Sequence, residues 1–250
     1  MKWIYISPHF DDAVLSCGGL IAFQAASGLN VEIWTVTSGV PSITEGSVLM
    51  RQVQDQWGID SPAEAVLARQ IEENRAVKRV GASGFGFGLL DCIYRADERG
   101  NFLYQGIFDQ IHPDEVMLPH QIADRINHKL GHNDIVVFPL AIGSHIDHRL
   151  VHLAAKFVEA KKLYYIDIPY FFKEDRNLSS LRESGIEKNI AFPINFVTDW
   201  VDGIWEYRSQ ISSLFESRSD LEAKISSYYG QFNGTSLWEV PENTMQGEIC

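Results

Sequence analysis

Short β-branched and aromatic runs alternate with segments of helical period through the first half of this chain. That alternation calls for βα units laid around a parallel sheet. Residues 3–7 read as the first strand, Asp12 to Ala26 as a helix closed at Gly28, and 31–37 as a second strand. A stretch holding Gly, Ser and Pro, 38–62, reads as a loop of the length that compact domains reserve for function. Ala63 to Val80 reads as a helix with Leu67, Ile71 and Val77 near one face and Gly81 as its stop. Residues 134–140 form another strand. His148 to Ala160 follows as an amphipathic helix with Leu150, Val151, Ala154, Phe157 and Val158 on one face, and 163–167 is a further strand. The C-terminal third shows one helix, from Asp199 to Phe215, with Thr198 placed to cap it.

No repeat, low-complexity tract or linker interrupts this pattern. The expected architecture is one α/β domain over 1–250. It has a Rossmann-like, mostly parallel sheet with helices on both faces over 1–170 and a helix-containing C-terminal extension over 171–250. With 45% hydrophobic and 22% charged residues, such a chain can bury a sizeable core. Its net charge of −12 argues against nucleic acid and anionic lipid, both of which need clustered Lys and Arg. No apolar run reaches the roughly 18 residues of a membrane span, and Met1–Ser7 is too soon interrupted by Pro8 to be a signal peptide. Cys17, Cys92 and Cys250 are odd in number and without a CxxC pair, so the expectation is a cytoplasmic protein without disulfides.

Two clusters carry chemistry. The first strand runs directly into a helix, the place where α/β proteins bind ligands, through Ser7-Pro8-His9-Phe10-Asp11-Asp12. A nucleotide site would put glycines there to cradle phosphate. Two carboxylates would instead repel an anion and suit a cation. The plainer alternative is that Asp11 or Asp12 only caps the helix. The second cluster, Ser144-His145-Ile146-Asp147-His148, follows strand 134–140 at the same edge of the sheet. Zinc favours His nitrogen and carboxylate oxygen, and a catalytic site leaves one position open for water. A metal-bound His usually donates its other N–H to a carboxylate, which Asp147 is placed to supply.

These residues resemble the PIG-L/LmbE-like zinc N-deacetylases, which carry a His-Pro-Asp-Asp-Glu type motif and a His-x-Asp-His motif. Here they stand as His9-Phe10-Asp11-Asp12-Ala13, followed by Gly18-Gly19, and His145-Ile146-Asp147-His148. The likeness extends to Arg69-x-x-Glu72, Asp91-x-x-Tyr94-Arg95, Asp167-x-Pro169-Tyr170 and Tyr207-x-Ser209-Gln210. Phe10 replaces the common Pro and Ala13 the common Glu, which leaves every ligand in place. The resemblance implies that His9, Asp12 and His148 bind zinc, with Fe2+ or another divalent cation as the alternative. Asp11 is then the general base. His145 stabilises the oxyanion or protonates the leaving amine, and Asp147 orients or charge-balances the histidines. Arg69, Tyr94 and Arg95 become candidates for binding substrate, an N-acetylated amino sugar.

Other residues are set aside. His112-Pro113-Asp114-Glu115 looks like a second copy of the first motif but follows no convincing strand. His120, His128, His132 and His152 are scattered, although His152 shares a helix face with His148. Cys17 reads as packing, and Trp34, Trp57 and Phe87 as core aromatics able in principle to stack on a sugar. Two other functions compete: a metal-dependent ester or phosphoester hydrolase, which would need more bridging carboxylates, and a non-catalytic carbohydrate-binding protein, whose structural zinc would call for four protein ligands.

Overall fold

The computed structural model describes residues 1–43, 46–168, 170–173 and 185–241; Pro169 and Cys250 lie outside the described residues. Strands β1 (Lys2–Ser7), β2 (Asn30–Thr35), β3 (Ser83–Gly86), β4 (Ile135–Pro139) and β5 (Lys161–Tyr165) run parallel. Strand β7 (Gly234–Glu239) adds antiparallel to β5, and β6 (Ile186–Ala191) antiparallel to β7, giving the order β3-β2-β1-β4-β5-β7-β6. From β1 the chain winds outward to β3, then returns to the other side of β1 as β4. The two connections leave in opposite directions, so a crevice opens beyond the C-terminal ends of β1 and β4. Both sequence clusters follow those two strand ends.

β1 is central and covered on both faces, which is why Ile4, Tyr5 and Ile6 form an unbroken apolar run with no exposed surface. Helix α1 (Asp12–Ala26) packs on α7 (Phe196–Ile204). A Cβ at Gly18 would lie 2.5 Å from the Trp200 ring, and the Trp200 Nε1–H donates to the Val14 carbonyl at 2.8 Å. The Gly18-Gly19 pair therefore allows close helix approach.

Several expectations need correction. The supposed loop 38–62 contains α2 (Val48–Trp57), capped by Ser47 and closed by a left-handed Gly58. Its inward face holds Leu49, Met50, Val53, Gln54 and Trp57 at helical spacing, a short period masked by the Gly, Ser and Pro residues that flank it. Helix α3 (Pro62–Arg79) forms as expected, but Leu67 and Ile71 are 46% and 53% exposed. It turns Arg69, Glu72 and Glu73 inward instead, alongside Ala65, Val66, Ala76 and Val77. Helix α5 (Ile146–Ala154) is shorter than read and ends in a 3-10 turn that leaves Phe157 42% exposed.

The single C-terminal helix is two, α7 and α8 (Arg208–Leu214), broken at Tyr207, and Thr198 lies inside α7 rather than capping it. Helix α4 (Leu118–Asn127) packs on α5, a single turn α6 (Tyr170–Lys173) follows β5, and α9 (Arg218–Phe232) precedes β7. The C-terminal segment is thus no appendage: it supplies two strands of the same sheet. Among the described residues no helix is long and apolar enough to cross a membrane.

Candidate metal centre and active site

The first corner is held by Ser7. Its hydroxyl donates to the His9 carbonyl at 2.6 Å and accepts the Ala13 N–H at 3.0 Å, drawing the chain into a tight turn between β1 and α1. Asp11 sits in that turn at φ 103°, a conformation L-residues avoid. It occupies the N-cap position of α1, yet its side chain caps nothing. Asp12 takes the His9 N–H at 2.8 Å. The capping explanation for this acidic pair therefore fails.

The second corner leaves β4 through Ala141, Gly143 and Ser144, all at positive φ. At Gly143 a Cβ would meet the Tyr170 ring at 2.4 Å, so glycine is required both by backbone and by space. His145 then caps α5, its Nδ1 accepting the Asp147 N–H at 3.2 Å.

The two corners meet at Asp12. Its Oδ2 lies 3.2 Å from His9 Nδ1 and 3.2 Å from His148 Nε2. Each ring is gripped from behind: Asp147 Oδ2 accepts from His9 Nε2 at 3.0 Å, and Asp167 Oδ1 accepts from His148 Nδ1 at 2.6 Å. These bonds fix both tautomers so that the inward nitrogens carry free lone pairs once deprotonated. A ring nitrogen of His145 stands within 4.8 Å of those of His9 and His148. Two imidazoles aimed at one carboxylate oxygen, each backed by a second carboxylate, fit a divalent cation with open positions. Charge agrees: five carboxylates, Asp11, Asp12, Asp91, Asp147 and Asp167, gather here with Arg69 and Arg95 as the guanidinium partners among the described residues.

The electrostatics follow from burial and these neighbours. Burial opposes the Asp12 charge, but His148 and His9 outweigh it and hold its carboxyl well below the usual range. Burial, with Asp12 beside it, pushes Asp11 up to about 8 against the pull of Arg69 and His9. Burial disfavours a charged His148, yet Asp12 and Asp167 raise it to about 9. His145 is held neutral by burial and by the two rings beside it. Because its Nδ1 accepts a backbone N–H, the proton of that neutral ring resides on Nε2.

A cavity of about 230 Å3 opens over this centre. It is lined by the metal-motif residues with Arg69, Asp91, Trp57, Tyr170 and Gln210. A larger cavity of about 730 Å3 lies behind Arg95, bounded by Asp97, Glu98, Arg99 and Asp114, and contains none of the histidines. The smaller cavity is the one that meets the chemistry.

Of the three residues expected to touch substrate, only Arg69 lines this cavity. Its guanidinium donates to the Phe10 carbonyl at 3.1 Å, lies 3.6 Å from Asp11 Oδ2 and stacks 4.7 Å from the Trp57 ring. Tyr94 is 2% exposed and does not reach the cavity. Arg95 faces away, bound to Asp147 Oδ1 at 2.5 Å and Glu115 Oε1 at 2.5 Å. Glu115 belongs to the motif set aside in the sequence; it anchors Arg95 and accepts from the Tyr104 hydroxyl, while His112 and Asp114 pair with each other. His152 is buried and bonded to the Pro139 carbonyl, a satisfied core histidine.

Sequence reasoning assigned no role to Asp91, Asp167, Glu73, Cys92 or Tyr170. Only Asp167 offered a usable signal, since it closes the strand read at 163–167, now β5; Asp91 follows β3, which no sequence pattern marked. Glu73 accepts from Thr35 Oγ1 at 3.0 Å, from Tyr207 OH at 2.6 Å and from the Asp11 backbone N–H. Ser209 donates to Glu72 from both its N–H and its hydroxyl. The scattered fragments Arg69-x-x-Glu72 and Tyr207-x-Ser209-Gln210 are thereby one contact between α3 and the start of α8.

The PIG-L family profile, GlcNAc-PI de-N-acetylase, matches residues 4–158. No curated protein matches the chain. Among solved structures, the zinc-inhibited form of teicoplanin deacetylase is 26% identical with a TM-score of 0.80, covering 95% of this chain and 97% of that one. The A40926 pseudoaglycone deacetylase is 24% identical with a TM-score of 0.74, covering 96% and 97%. N,N'-diacetylchitobiose deacetylase from Pyrococcus horikoshii, at 16% identity and a TM-score of 0.59 over 99% and 86%, shares the fold. The matched segment spans both histidine motifs and more than half of the chain, and the protein belongs to the PIG-L, or GlcNAc-PI de-N-acetylase, family of N-deacetylating hydrolases.

Proposed function

We propose that this protein is a zinc-dependent hydrolase that removes an N-acetyl group from an amino-sugar substrate such as an N-acetylglucosaminyl conjugate. The observation that carries this reading is Asp12 Oδ2 standing 3.2 Å from both His9 Nδ1 and His148 Nε2. These three side chains would hold the cation. A bound Zn2+ supplies a water whose pKa is lowered to roughly 7 and polarises the amide carbonyl.

Asp11 takes the proton from the attacking water. Burial and the Asp12 charge raise its pKa in the metal-free site, which makes its carboxylate more basic than an exposed aspartate. Arg69, 3.6 Å away, keeps its carboxylate oriented and presents a donor to a substrate hydroxyl. His145, neutral with its proton on Nε2, donates toward the oxyanion as charge develops on the carbonyl oxygen. It or protonated Asp11 then delivers a proton to the departing nitrogen. Arg95 acts on Asp147, and through it on His9, as a positioning residue and not as a contact for substrate. Asp147 likewise orients His9.

The deacetylases of similar fold support the amino-sugar class. The reading treats 1–250 as one domain, because β6 and β7 continue the sheet while Tyr207 and Ser209 bind α3.

Acetate release from N-acetylglucosamine conjugates, abolished by a chelator and restored by zinc, tests the proposal. Free phosphate from phosphoester conjugates without acetate moves it to the esterase class. Absence of product with every divalent ion tried makes it a sugar-binding protein.

A further inference from the structure

A second set of donors stands beside the His9–Asp12–His148 centre, and the proposed hydrolysis leaves its sulfur unused. Cys92 opens a 3-10 turn directly after Asp91. Its Sγ, a ring nitrogen of His145 and a carboxylate oxygen of Asp147 all lie within 4.8 Å of one another. All three residues are buried. Asp91 and Ile93, on either side of Cys92, line the active-site cavity together with His145. A cation in that cavity thus meets the set at its edge.

We infer that Cys92, His145 and Asp147 form a second, inhibitory site for a thiophilic divalent cation such as Cd2+. A thiolate with one imidazole and one carboxylate is a softer donor set than the nitrogen and oxygen ligands of the primary centre, so it selects a different class of ion. On binding, the Cys92 S–H bond breaks as the metal–sulfur bond forms, and Nδ1 of His145 gives up its bond from the Asp147 N–H to engage the ion while Nε2 keeps its proton. The thiol proton passes to water, and nothing is oxidised or reduced. The ion engages His145, taking it from the cavity. It also competes for Asp147, whose oxygens are held by His9, Arg95 and the Cys92 N–H. Occupation therefore removes one side chain from the proposed chemistry and slackens the support of a primary ligand. Binding stands on the geometry alone; inhibition rests on the proposed function.

The test uses the zinc-loaded full chain in a Cys250→Ser background, titrated with cadmium chloride. Thiolate-to-cadmium charge-transfer absorption should appear with one equivalent of added cadmium, persist in Cys17→Ala and vanish in Cys92→Ala. Acetate release should be inhibited at a cadmium concentration at least about tenfold lower in the parent than in Cys92→Ala. A band that survives Cys92→Ala, or equal inhibition of the two proteins, overturns the site. Should Cys92→Ala fail to fold, cadmium-113 resonance of the parent decides: a sulfur-ligated signal supports the site, and only nitrogen- and oxygen-ligated signals overturn it. If no acetate is released at all, the proposed function fails while the absorption arm still returns its own answer.

Discussion

The Nδ1 of His148 lies 2.6 Å from Oδ1 of Asp167, a bond between the first turn of α5 and the residue just past β5. It turns Nε2 of the ring toward Asp12. Asp167→Asn keeps the shape but offers an amide where the ring needs a charged acceptor. Zinc affinity should fall by about 10- to 100-fold, read by competition with a chromophoric chelator. Unchanged affinity would remove Asp167 from the centre.

Asp11 and His148 should separate chemistry from binding. Asp11→Ala should retain stoichiometric zinc while turnover drops on the order of 10²–10⁴-fold. His148→Ala should lose the metal itself, measured by elemental analysis after gel filtration. An Asp11→Ala enzyme with near-normal turnover would falsify its role as base.

Metal uptake should release protons. With the ring pKa raised to about 9 by Asp12 and Asp167 over the opposing effect of burial, metal-free His148 is protonated at pH 7. A cation must displace that proton from Nε2, so apparent zinc affinity should rise with pH until about 9 and weaken as pH falls. Calorimetry in two buffers of different ionisation enthalpy reads the released protons directly. Identical heats in both would contradict the assignment.

Arg95→Met should act through stability rather than through substrate. It leaves Asp147 and Glu115 buried without their cation, a loss of about 3–5 kcal/mol for a buried pair. Denaturant midpoints should shift accordingly, and zinc affinity should fall with them because Asp147 supports His9. A raised KM with unaltered stability and metal content would instead return Arg95 to the substrate surface.

The two clusters were legible in the sequence because they stand at two strand ends, while the choice of His9, Asp12 and His148 as the proposed ligands came from the family resemblance. The partners of these ligands were not legible. Asp167 and Asp91 matter only once the order of strands brings their loops beside β1 and β4, and no local pattern encodes that order. Helix α3 misled for a different reason. Apolar periodicity assumes that carbon faces inward, whereas α3 buries Arg69, Glu72 and Glu73 against Asp11, Ser209 and Tyr207 and leaves Leu67 and Ile71 to solvent. Strand β6, Ile186–Ala191, was invisible because its solvent-facing edge position demands no apolar stripe. The break at Tyr207 was hidden because the residues on both sides of it favour helix.

The turn at Asp11 makes heat resistance and turnover rivals at one position. Glycine would adopt φ 103° without a steric penalty. Asp11→Gly should therefore melt at a temperature no lower than the parent, while hydrolysing almost nothing. Selection for robustness alone would tend to erase this aspartate; its presence in so unfavourable a backbone setting accords with the role proposed for it on a substrate.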